Sequence, residues 1–139
     1  MPAVGGDADP VYFGRTFDEA LRLLQEARDY LTVKGQRDAS GLPVDRGLAY
    51  SVESMRLTSR LTQVMAWLIV QRAAHAGEIA SEELASDNWR LGGQTVCLAE
   101  GPLPTAGLPR DLLELLDRSE GLYARIARLD EIVARNSRP

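Results

Sequence analysis

Three features of this 139-residue sequence are of a kind that does chemistry: its single histidine, His75, its single cysteine, Cys97, and the tripeptide Gly92-Gly93-Gln94. His75 and Cys97 carry the side chains of a Cys-His nucleophilic pair or of two metal ligands. No Cys/His cluster or orienting motif accompanies them, and a lone cysteine is ordinarily a small packing residue. Gly92-Gly93-Gln94 spells the tripeptide that catalyses peptide release in translation termination factors. That work needs a cationic approach to tRNA, whereas Glu78, Glu82, Glu83, Asp87 and Glu100 flank the tripeptide with only Arg90 opposing them. A tight turn is the better reading. No glycine-rich motif precedes Lys-Ser/Thr, and no aspartates recur at calcium spacing. No enzyme activity, cofactor or metal is expected.

The element that must position everything else is the stretch from Leu48 to His75, which contains neither Gly nor Pro and so holds nothing that breaks a helix. At about 100° per residue, Leu48, Val52, Met55, Ala66, Ile69 and Ala73 fall together, with Leu57, Leu61, Val64, Met65 and Leu68 on the adjoining arc. About a third of the circumference is polar by this helical count and carries Glu53, Arg56, Arg60, Gln63 and Gln71. The pattern predicts a central helix covered on at least two sides, with this polar stripe facing outward. At about 28 residues it is roughly 42 Å long.

Composition sets the class. With 45% hydrophobic and 26% charged residues, the chain has the apolar material for one core and no room for a second domain. The formal net charge of −4 gives no reason to expect a nucleic-acid or membrane partner. The longest apolar run, Val64 to Val70, is far short of the roughly 20 residues that span a bilayer. One cysteine forms no internal disulfide, and the N-terminus lacks the regions of a signal peptide. A cytoplasmic location is expected.

Along the chain, residues 1–11 mix Gly, Pro and Asp without period and read as a flexible N-terminus; residues 12–139 read as one domain. Thr16 and Glu19 have capping-box spacing, predicting a first helix that buries Phe17, Ala20, Leu21, Leu24, Ala27 and Leu31 and stops at Lys34-Gly35. Phe13 lies just upstream, where it can fold over the helix start. The turn-rich connection KGQRDASGLPVD suits an antiparallel return. Ser81-Glu82-Glu83 can open one short helical turn after Gly77. Trp89 to Leu108 has no period, but Trp89, Leu91, Val96, Cys97 and Leu98 supply apolar side chains for an ordered strap over the bundle. Pro109 suits the start of a last helix running to about Asn136, with Leu112, Leu115, Leu116, Leu122, Tyr123, Ile126, Leu129 and Val133 on one face. The fold class is all-α: three long helices with a long ordered connection before the third. Connection length does not fix the direction of that third helix.

Certain residues break their local pattern. Arg28 and Asp130 each sit centrally on an apolar face, where an unpaired charge is costly. In an up-down-up bundle with the first and last helices parallel the two come to the same level, and they are expected to pair; the alternative is that each finds solvent or a hydroxyl such as Thr62 separately. Trp67 falls inside the polar stripe of Arg56, Arg60, Gln63 and Gln71. Either the strap or a second subunit covers it, or these residues form an Arg-and-Trp surface that anchors a protein partner. The wide apolar arc of the central helix, which the shorter first helix cannot cover, points to a homodimer.

The run AYSVESMRLTSRLTQVMAWLIVQRAAHAGEI, with FGRTFDEALRLLQEARDYL before it and RLGG and LLDRSEGLYARIARLD after it, resembles the alphaproteobacterial regulator of CtrA degradation (RcdA) family, once catalogued only as a domain of unknown function. The resemblance covers nearly the whole chain. It implies a dimeric three-helix bundle without catalysis, an adaptor in regulated proteolysis. Its implied partners are ClpXP protease components, a response-regulator-like adaptor and cell-cycle substrates such as CtrA. The chain ends at NSRP soon after the third helix, so tethering through a long C-terminal tail is not expected.

Overall fold

The computed structural model describes residues 13–98 and 101–137. The expected boundary of a flexible N-terminus at residue 11 lies outside them. Three long helices form the frame: α1 (Gly14–Thr32), α3 (Val44–His75) and α5 (Arg110–Ser137). Two short ones, α2 (Lys34–Ser40) and α4 (Gln94–Leu98), and a 3-10 turn at Ser81–Ala85 lie in the connections.

Helix α1 starts two residues before Thr16. Phe13 occupies the N-cap position with no side-chain cap, and its carbonyl accepts from the Phe17 N–H at 2.8 Å. The anticipated capping box is therefore not the start signal; Phe13 is fixed instead by its ring, which packs on Trp67 with centroids 5.3 Å apart. Ala20, Leu23, Ala27 and Tyr30 recur at helical spacing as the buried stripe of α1. Leu21, expected inside, stays on the surface.

Gly35 does not stop the helical course. It lies buried inside α2, where a Cβ would overlap Tyr50 Oη and come within 2.8 Å of the Tyr30 carbonyl oxygen. Pro43, which needs no N–H, is the N-cap of α3, whose first residue, Val44, lies four residues before the anticipated Leu48.

Ion pairs fix the helix directions. Lys34, Glu26 and Glu19 of the first segments pair with Asp111, Arg118 and Arg125, so α1 and α5 are antiparallel. Arg60 reaches Leu116 and Ser119, and Trp67 reaches Asp130, so α3 and α5 are parallel. Helix α1 runs against α3, since Phe13 at the start of α1 meets Trp67 in the C-terminal half of α3, while Tyr30 near the end of α1 and Gly35 just beyond it meet Tyr50 in the N-terminal part of α3. The chain from Ala76 to Pro109 must therefore travel back along the whole bundle before α5 can begin. The core between the frame helices is filled by Leu57, Leu61, Val64 and Leu68 of α3, Ala20, Leu23 and Ala27 of α1, and Leu112, Tyr123 and Ile126 of α5. Each such side chain of leucine size stabilises by about 2 kcal/mol on leaving water.

These directions separate the expected Arg28–Asp130 pair. Arg28 stands at the level of the α5 N-terminal half and Asp130 at the opposite end of the bundle, beside Trp67. Arg28 is exposed and bonds its neighbour Asp29 at 3.1 Å, whereas Asp130 is 1% exposed and engages Trp67, Arg90 and Leu91.

Candidate functional site

The polar stripe of α3 faces inward. Glu53, Arg56, Arg60, Trp67 and Gln71 are all buried and Gln63 is half-buried, while Leu48, Met55 and Ile69, expected in the core, are 59%, 71% and 54% exposed. Burial of the second apolar arc, Leu57, Leu61, Val64 and Leu68, follows the expectation. What covers the polar stripe is the strap, described over residues 89–98 and 101–108, which runs in the opposite direction to α3.

The single turn of α4 leaves its last carbonyls without intrahelical partners, the rest of the described strap is irregular, and buried carbonyls need donors. The helices supply them. Arg46 Nη1 donates to the carbonyls of Pro104 and Ala106 at 2.6 and 2.8 Å. Arg56 Nη1 donates to Val96 O at 2.7 Å. Arg60 Nε donates to Cys97 O at 2.9 Å, and its Nη1 to Leu116 O and Ser119 Oγ at 3.1 and 3.2 Å. Tyr123 Oη donates to Gly92 O at 2.5 Å. One row of α3 side chains thus holds the strap along nearly its whole course, and Asp130 completes it by accepting from Leu91 N at 3.2 Å. Burial draws the Arg60 guanidinium below its ordinary pKa, while Glu120 opposes that shift from 3.6 Å.

Gly92-Gly93-Gln94 is the tight turn that opens α4, with Gly93 at φ +74° in the left-handed region. Gln63 packs beneath both glycines, and a Cβ on Gly92 would lie 2.7 Å from Gln63 Oε1. Cys97 is buried beside Tyr123 and below Arg60, and desolvation raises its thiol pKa. His75 is at the far end of α3, about 22 Å of helical rise from Arg60, which bonds Cys97 O, so His75 and Cys97 do not form a catalytic pair. Among the described residues no three His, Cys, Asp or Glu converge on a possible metal position, and none of the described helices is long and apolar enough to cross a membrane.

Two surface features remain. The outward arc of α3, with Val44, Leu48, Ser51, Met55, Ser59, Thr62, Ala66 and Ile69, carries no charge. Beside it a largely apolar groove of about 490 Å³ runs between α1 and α3, lined by Leu21, Leu24, Ala27, Leu31 and Leu61 together with the polar Gln25, Arg28, Thr32 and Thr58. The second feature is a polar cleft of about 630 Å³ between the strap and α5. Angular counting found the uncharged arc but assigned it to the core; the cleft had no sequence signal, because it joins residues from three separate segments.

The family model described as "Protein of unknown function (DUF1465)" matches residues 6–139. The chain belongs to this family. It is also 38% identical to the chain in the crystal structure of RcdA from Caulobacter crescentus CB15, with a TM-score of 0.71 over 91% of this chain and 94% of that one. No curated protein matches it. The likeness spans all three frame helices and the strap, and it identifies the chain as RcdA-like.

Proposed function

We propose that this chain is a non-catalytic adaptor in regulated proteolysis, acting as a homodimer that brings cell-cycle regulators such as CtrA to the ClpXP protease together with a response-regulator-like partner. The observation that carries the reading is the 38% identity to RcdA across nearly the full length of both chains. The placement of the reactive side chains supports it. The buried polar groups Arg56, Arg60, Trp67, Tyr123 and Asp130 are occupied in holding the strap and the helices together. The uncharged arc of α3 and its adjoining groove supply the kind of surface on which a second copy packs about a two-fold axis.

The test is reconstitution. Purified chain immobilised on resin should retain ClpX or the response-regulator-like partner from an alphaproteobacterial lysate, and adding it to ClpXP should shorten the lifetime of a client without being consumed. Retention of other proteins with no protease component would sink the proteolytic reading and leave a general interaction module.

A further inference from the structure

The cleft between strap and α5 has a floor of three buried ionisable side chains, Glu53, Arg56 and Arg60. Gly101 to Thr105 form one wall; Leu113, Leu116, Asp117 and Glu120 form the other. Its volume of about 630 Å³ is in the range of sites that enclose a side chain with its flanking peptide.

The hydrogen-bond inventory decides what it accepts. Arg60 spends Nε and Nη1 on Cys97 O, Leu116 O and Ser119 Oγ, and its Nη2 faces Glu120. Arg56 donates Nη1 to Val96 O and is ion-paired with Glu53, its Nε 3.3 Å from Oε1 without hydrogen-bond geometry. The carboxylates are less occupied. Glu53 is 3% exposed, yet its Oε2 has no hydrogen-bond partner among the described residues. Asp117 makes no ion pair among them, and the Glu120 side chain is 57% exposed. A buried carboxylate oxygen without a donor keeps its negative charge uncompensated beneath the floor of the cleft. Glu53, Asp117 and Glu120 outnumber the two arginines, so the cleft repels anions and attracts cations. Pro102, Leu103 and Leu113 add apolar wall on which the methylene stem of a long basic side chain can lie. Gly101 covers Glu53 Oε2 so closely that a Cβ there would overlap it. Glu53 Oε2 is therefore shielded by the Gly101 backbone and acts on a docked cation through its field rather than by a direct hydrogen bond.

We infer that this cleft is a docking site for an arginine or lysine side chain of a partner polypeptide, held by Asp117 and Glu120 at the rim and drawn inward by Glu53. The inference rests on the reading of the chain as a protein-binding adaptor and names the chemistry of the segment it takes.

The probe is a short amidated peptide with one arginine between leucines, labelled with fluorescein and titrated by anisotropy, with amide shifts followed by NMR. The expected result is saturable binding that shifts Gly101, Leu103, Leu113 and Asp117, with at least tenfold weaker binding when glutamine replaces the peptide's arginine. Asp117→Lys with Glu120→Lys should weaken binding to a similar degree without loss of helicity, since both are on the rim. Glu53→Gln, which keeps the side-chain shape, should weaken it further. The inference is overturned by no saturation at about 1 mM peptide, where even a free energy near −4 kcal/mol would register. It is equally overturned if the glutamine peptide or a glutamate peptide binds as well, or if free arginine amide does, which would make this a small-molecule site. Peptide binding without retention of a protease component overturns only the adaptor reading; retention without peptide binding overturns only this one.

Discussion

Trp67 on α3 donates its indole N–H to Asp130 Oδ1 of α5 at 3.0 Å, and the same carboxylate accepts from Leu91 N at 3.2 Å and from Arg90 Nε at 2.9 Å. One buried aspartate thereby ties the central helix, the last helix and the strap together.

Asp130→Ala should be the most damaging of the simple polar substitutions. It leaves the Trp67 indole and the Leu91 N–H buried without an acceptor and removes one of the two carboxylate partners of Arg90, a loss of about 3 kcal/mol or more. Asp130→Asn keeps an acceptor for Trp67 and should cost roughly half as much. Urea unfolding read by tryptophan fluorescence checks both; equal stability of the alanine variant and the parent would contradict the role given to this carboxylate.

Arg56→Glu with Arg60→Glu should loosen the strap and unfold the protein at lower temperature, because Arg60 alone holds three carbonyl or hydroxyl oxygens across α4 and α5. Losing buried donors of this charged kind costs about 3 kcal/mol. Hydrogen exchange at residues 92–97 should rise more than at the middle of α1. An unchanged exchange pattern would show that the strap is held by its apolar side chains instead.

Two glycines offer opposite outcomes for one substitution. Gly35→Ala should destabilise by about 2 kcal/mol, since the new methyl meets Tyr50 Oη and the Tyr30 carbonyl. Gly121→Ala, inside α5 with nothing within 4 Å of the added carbon, should stabilise by about 0.5–1 kcal/mol through helix propensity. Thermal unfolding of the two variants side by side separates packing from propensity.

The three long helices, the short turn at Ser81 and the ordered strap were legible in the sequence because each rests on local signals: period, Gly, Pro and charge. The facing of α3 was not. Angular counting treats Arg56, Arg60 and Trp67 as outward because they are polar, but a strap rich in Pro and Gly brings buried carbonyls that only such side chains can satisfy. Polarity there marks contact with irregular backbone rather than with water. The Arg28–Asp130 pairing failed for a separate reason. It required α1 and α5 to be parallel, and a strap long enough to cross the bundle either way leaves that choice to tertiary packing.

Alkaline pH should unfold the protein earlier than its composition suggests. Desolvation raises the Cys97 thiol, the Tyr30 phenol, with the Asp38 hydrogen bond adding to the shift, and the Tyr123 phenol above their ordinary values. In each case the folded state keeps its proton where the unfolded state has lost it. Stability is therefore full below the unfolded value and falls as pH rises from it toward the folded value, beginning near about 8.5 for the thiol and about 10 for the phenols. Circular dichroism across this range checks the direction, and Cys97 should react with iodoacetamide far more slowly in the folded protein than in urea.

The uncharged arc of α3 carries the last expectation. Met55 and Ile69 are 71% and 54% exposed in the single chain, on a face with Leu48, Thr62 and Ala66 that no charge interrupts. A second copy placed across this face and its groove would bury them; a charge inserted there would then have to be desolvated without a partner. Met55→Glu and Ile69→Lys should each weaken self-association at least tenfold, or about 1.4 kcal/mol, and leave the helicity of the monomer unchanged because neither side chain is in the core. Sedimentation equilibrium at tens of micromolar is the measurement. A parent protein that sediments only as monomer would sink the dimer, and a dimer indifferent to both charges would place its interface on another face.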